Sequence, residues 1–109
     1  MANILGFELL DSTQYAGMSD GALLKEVEWL ETWLTCLEWE FVAPFNALLE
    51  LSAAGKEVVL PRRRKEYFVV GFRIRKSVRA NLRIAYSELQ RRMVELAQQI
   101  ATAQGAGPQ

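Results

Sequence analysis

The sequence predicts an all-α protein: a long antiparallel helical hairpin or bundle with a coiled-coil-like seam, assembled as a homo-oligomer. Three observations carry that expectation. Leu23, Val27, Leu30, Leu34, Leu37, Phe41, Pro44, Leu48 and Leu51 recur at alternating steps of four and three, the spacing of a seam along one long helix. Ile74, Val78, Leu82, Ala85, Leu89, Met93, Leu96 and Ile100 fall within a stripe about 100° wide on a second helix. Finally, charge is sorted by half. Residues 1–55 hold nine carboxylates against Lys25 alone, a net of −8, and residues 56–109 hold twelve basic residues against four carboxylates, a net of +8. The formal net charge of zero hides this dipole, which suits two helices that pair, or a basic surface held for an anionic partner.

The 109 residues fit a single helical domain. Residues 1–18 form an N-terminal arm and loop. Within them Ile4, Leu5, Phe7, Leu9 and Leu10 suit a short helix or docking arm, and Asp11 to Met18 reads as loop. Ser19 and Asp20 are good N-cap residues, and they open an acidic helix over 19–54. Pro44 should kink or break it, and Gly55 is placed to cap its C-terminus. Val58-Val59-Leu60 and Tyr67 to Arg75 are rich in β-formers and leave room for a short β-like insertion near 57–75. Pro61 suits a first helical turn, and Arg62–Lys65 lacks the Asn-Gly of a tight hairpin. Helix is therefore favoured, giving a basic helix over 61–103 and a flexible tail at 104–109.

The first helix carries more apolar surface than one seam uses. At about 100° per residue, Trp29, Trp33 and Cys36 adjoin the seam, which makes them candidates for a bundle core, and Trp39 lies nearly behind it. One partner helix covers one face, so the remainder calls for another chain or the N-terminal arm, and a bundle of more than one subunit is expected. Trp29, Trp33, Trp39, Phe41, Tyr67 and Phe72 are the candidate partner-interface residues, with Trp39 the candidate exposed anchor.

Catalysis is poorly supplied. The chain has no His, the commonest general base and metal ligand, and Cys36 is its lone thiol. No Gly-rich phosphate loop occurs. Helical metal-dependent pyrophosphohydrolases use Glu-x-x-Glu pairs on facing helices, but Glu28 and Glu31 are matched only by the separate Glu88 and Glu95. Leu89-Gln90-Arg91-Arg92-Met93-Val94-Glu95-Leu96-Ala97 resembles the first helix of helical chorismate mutases, over nine residues and without the further catalytic helices of that family. No enzyme, metal or cofactor is expected. No stretch approaches the roughly 20 apolar residues of a membrane span, no basic n-region marks a secretory signal, and a single Cys suits a reducing cytoplasm.

The basic residues are the stronger signal. Arg62, Arg63, Arg64 and Lys65 form a compact block, and Arg75, Arg79 and Arg83 form an i, i+4, i+8 row beside the apolar stripe. Guanidinium donors grip pairs of phosphate oxygens, and interleaved aromatics can stack on bases. Arg75, Arg79 and Arg83 could equally face the acidic row of the first helix. The expected function is a non-enzymatic binding protein that holds an anionic ligand, nucleic acid or a nucleotide-like molecule. The alternative is a protein inhibitor or adaptor, of the kind phages and mobile elements encode, acting through an aromatic and basic surface.

Overall fold

Five helical segments follow one another along the chain in the structure, a computed structural model that describes residues 10–105 and the backbone of Asn3–Ile4 and Phe7–Glu8. Helix accounts for 86% of it, and the protein is all-α. Asn3–Ile4 (β1) pairs antiparallel with Phe7–Glu8 (β2), with Asn3 opposite Glu8 and Ile4 opposite Phe7. The backbone there is a tight strand pair and not the short helix expected. The docking-arm reading lies outside the described residues.

The expected loop at 11–18 contains a helix, α1, at Ser12–Ala16. Its cause is a reciprocal capping box. Asp11 Oδ1 accepts from the Gln14 amide and Gln14 Oε1 accepts from the Asp11 amide, both at 2.9 Å. The turn places Tyr15 fully inside the protein.

Helix α2, Asp20–Leu37, starts where Ser19 Oγ accepts from the Ala22 amide at 3.1 Å. Asp20 sits in its first turn, at the positive end of the helix dipole. A π-helical turn, Glu38–Val42, leads into α3, Ala43–Ala53. Pro44 has no amide hydrogen and its ring crowds the preceding turn, so the helix widens by one residue just before it and then resumes. Gly55 adopts φ 78°, and the Lys56 amide reaches back to Leu51 while the Gly55 amide reaches Ser52, a Schellman ending.

Residues 56–61 connect to α4, Arg62–Gly105, a helix of 44 residues and about 66 Å. The β-like insertion near 57–75 does not form. Phe68, Gly71, Ile74 and Val78 bury at helical spacing, and that packing outweighs the strand preference of the local sequence. α4 also continues to Gly105, into the stretch expected as tail, and residues 106–109 lie outside the described residues.

α2 packs along α4, and cross-helix pairs fix the direction. Asp20 meets Arg92, Glu31 meets Tyr86, Glu38 meets Arg75 and Glu40 meets Tyr67, so the helices run in opposite senses. Leu23, Val27, Leu30, Leu37 and Phe41 fill one side of the core, and Phe68, Ile74, Val78, Leu82 and Ala85 fill the other. Gly71 permits the closest approach, since a Cβ there would lie 2.0 Å from Phe41 Cδ1. Asn81, nearly fully buried, donates to the Leu10 carbonyl at 3.2 Å and to Tyr15 Oη at 2.9 Å, and Tyr15 Oη donates to Glu26 at 3.0 Å. Burial is the main reason the Tyr15 phenol is pushed up to about 12. The molecule is thin, 75 × 33 × 15 Å. Cys36, expected in the core, is exposed.

Candidate anion-binding face

The buried line Ile74, Val78 and Leu82 turns α4 toward α2, and the residues one position later, Arg75, Arg79 and Arg83, emerge together along its flank. With Phe72, Lys76 and Ala80 they line a surface groove of about 370 Å³ that contains four cations and no carboxylate. Arg75 lies 3.8 Å from Glu38, a loose contact between partly exposed groups that leaves most of its donors open. Among the described residues, no carboxylate lies within ion-pair distance of Lys76, Arg79 or Arg83. Arg79 and Arg83 thus do not face the acidic row of α2.

Phe72 and Lys76 also line a second, larger depression of about 640 Å³. Its floor is Phe45, Leu60, Phe68, Val69 and Phe72, and its rim is Lys65, Arg73 and Lys76. Phe45 holds the floor rigid through edge-on contacts with Phe68 at 5.3 Å and Phe72 at 5.1 Å. The basic row and the aromatic floor are therefore continuous. Helical spacing sets Arg73 and Lys76 further round α4 than the Arg75 row, and they are not among the expected site residues, yet Lys76 lines both depressions and Arg73 the aromatic one.

The block Arg62–Lys65 is not one patch. Successive helical residues diverge by about 100°, so the four cations go to different places. Arg62 pairs with Glu66 at 3.2 Å, Arg64 lies 5.5 Å from the Phe68 ring centroid, Lys65 joins the aromatic depression, and Arg63 and Arg64 border a separate groove with Glu40 and Tyr67. Tyr67 Oη donates to Glu40, which raises the phenol above its usual range, and Tyr86 Oη does the same with Glu31.

The aromatic candidates divide similarly. Phe41 is buried in this chain's own core and stacks on Tyr67 at 4.6 Å, while Phe72 belongs to the basic face. Trp29 and Trp33 touch at 5.4 Å on the side of α2 beside the seam, where with Cys36 they border a groove of about 390 Å³. Trp29 is exposed and Trp33 half-buried. Trp39, at the π turn, is 76% exposed.

The most heavily bonded cation is one that sequence reading did not single out. Arg92 donates to Glu88 at 2.6 Å, to Asp20 at 2.7 Å, and to the carbonyls of Tyr15, Ala16 and Met18 at 3.2, 3.3 and 2.7 Å. It closes the C-terminal end of α1 and ties it to α2 and α4. Arg91 and Arg92 together hold the Glu88 carboxyl down at about 2, chiefly through their hydrogen bonds.

Among the described residues, no group of three or more Asp, Glu, Cys or His side chains could hold a metal ion, and no helix is long and apolar enough to cross a membrane. Comparison with known protein families, curated proteins and solved structures finds no match to this chain.

Proposed function

We propose that this chain is a non-enzymatic binding protein that holds an anionic ligand, nucleic acid or a nucleotide-like molecule, on the basic face of α4. One observation carries the reading: the groove along Arg75, Lys76, Arg79 and Arg83 contains four cations and no carboxylate. At either end of α4, by contrast, cations are paired along the helix, as at Arg62–Glu66, Arg91–Glu88 and Arg91–Glu95. Arg79 and Arg83 are one turn apart, about 6 Å along the axis, and offer forked donors to successive phosphates or to one triphosphate. Phe72 and the aromatic floor supply faces on which bases stack. The scaffold for this face is an antiparallel helical hairpin with a coiled-coil-like seam, and it functions as a homo-oligomer.

Fluorescence anisotropy with a labelled single-stranded oligonucleotide, a duplex and a nucleotide tests it. Affinity should fall steeply with salt. Changing Arg79 and Arg83 to Ala should weaken binding at least tenfold and flatten the salt slope by about two. Equal binding by wild type and variant would reject the face.

A second reading rests on Trp39, which stands clear of the core at the π turn: a protein partner docks on this side chain. Such an interface would be lost in Trp39→Ala and would be far less sensitive to salt.

A further inference from the structure

Beyond Arg92, α4 has no α2 opposite it, because α2 begins at Asp20 and Asp20 is joined to Arg92 at 2.7 Å. The apolar line that α2 covers at Val78, Leu82 and Ala85 nevertheless continues through Leu89, Met93, Leu96 and Ile100 at steps of three and four. Burial ends along it: Ala85 is buried and Leu89 half-buried, while Met93, Leu96 and Ile100 are 60%, 50% and 48% exposed. The overhang, residues 93–105, is about 20 Å long.

We propose that a second copy of this chain covers this stripe, with the two α4 overhangs pairing antiparallel about a two-fold axis near Leu96. Charge selects the occupant. A two-fold interface brings identical surfaces together, so like charges meet unless the patch is nearly neutral. Glu95 is the one ionisable side chain in 93–105, and Arg91 holds it at 3.0 Å. An acidic or basic partner would find nothing here to pair with, whereas the overhang offers its own copy an uncharged apolar line of matching period. It is also the direct continuation of the line that α2 and α4 already bury within the chain.

The register fits as well. Antiparallel pairing centred on Leu96 sets Ile100 of one copy opposite residues 92–93 of the other. At that point Leu24, Leu89, Met93 and Leu96 border a groove of about 390 Å³, whose charged members are all paired, Asp20 with Arg92 and Glu95 with Arg91. Leu24, 53% exposed, belongs to this surface. Each Ile100 enters the other copy's groove, so the contact closes on itself at two copies and does not propagate into a filament. The two basic faces then lie at opposite ends of the dimer. This inference names the surface of the homo-oligomer proposed above and does not depend on anion binding.

Sedimentation equilibrium of the 109-residue chain over a hundredfold concentration range tests it. The expected result is a monomer–dimer equilibrium, with Leu96→Asp, Ile100→Asp monomeric throughout and of unchanged helical circular dichroism. A wild type that stays monomeric, or a double variant that associates as tightly as wild type, overturns the proposal. Cross-linking gives a second reading. In a Cys36→Ser chain, Leu96→Cys should form a disulfide-linked dimer on mild oxidation, because a residue near the axis meets its own copy. Val59→Cys, exposed elsewhere, should not. Failure of Leu96→Cys to cross-link, or equal linking at both positions, removes the axis. The monomeric variant keeps Arg79 and Arg83, so loss of the dimer and loss of anion binding are read separately.

Discussion

Arg92 and Arg79 lie on the same helix and are used in opposite ways. Arg92 faces the end of α1 and the start of α2, where three backbone carbonyls and two carboxylates converge on it. Arg79 faces no carboxylate among the described residues and lines an open groove with three other cations. The guanidinium is chemically the same in both. What differs is whether the fold brings acceptors to it, and that decides whether the residue is part of the structure or is left over for a ligand.

That contrast is open to direct test. The largest effect should come from Arg92→Ala, which unpairs Glu88 and Asp20 and frees the carbonyls at the end of α1. The thermal midpoint should fall by roughly 5–10 °C, read by circular dichroism. Arg92→Lys should recover little of this, because one ammonium cannot serve the same spread of acceptors. Arg79→Ala with Arg83→Ala should leave the midpoint within a degree or two while removing most anion binding. A large loss of stability in that pair would mean these residues are structural, and the comparison would fail.

Acid should act next. The Glu88 carboxyl titrates at about 2 in the folded chain, below its ordinary value of 4.5. A depressed carboxylate stabilises the fold at pH above its unfolded value, and that contribution disappears as pH falls through the folded one. Wild type should therefore lose stability between about pH 4.5 and 2, and Glu88→Gln should be less stable than wild type at neutral pH but flat through this window. Parallel pH profiles for the two would show that Glu88 does not carry the acid response. The smallest effect belongs to Arg62→Ala, whose pair with Glu66 is almost fully solvated. Its loss should cost less than about 0.5 kcal/mol in urea unfolding.

Much of the helical layout was legible because it depends on local rules. The four-and-three spacing of Leu23 to Leu37 and of Ile74 to Ala85 is written in the chain, and those residues bury, Leu34 in part and the others fully. The Asp11–Gln14 capping box was also present in the sequence, but the small polar residues around it read as loop, so α1 was missed. Tyr67 to Arg75 misled in the other direction. Its β-branched and aromatic residues suit a strand in isolation, and only the contact of Phe41 with Gly71 and Phe68 with Phe45 makes the helix the better packed choice.

The candidate site was legible in part. The row Arg75, Arg79 and Arg83 follows from helical spacing alone, and the structure keeps it on one flank. The block Arg62–Lys65 looked like a single patch because adjacency in sequence was read as adjacency in space, which a helix denies. Cys36, Trp29 and Trp33 looked like core because their angular position adjoins the seam. In the structure Cys36 and Trp29 are exposed, and Trp33, packed against the edge of the core, is half-buried.

The sequence by itself determined that the protein is helical, where its long helices bury, and that acid and base are divided between them. These are consequences of periodicity, capping and composition, each of which acts over a few residues. Tertiary structure alone decided which cations are consumed and which remain. That depends on α1, α2 and α4 meeting at one end, where Arg92 is fully engaged, and on α2 starting at Asp20, which leaves the apolar line beyond Leu89 uncovered. No local pattern encodes the register between two helices 72 residues apart at their Asp20–Arg92 contact. It is set by how the whole core packs.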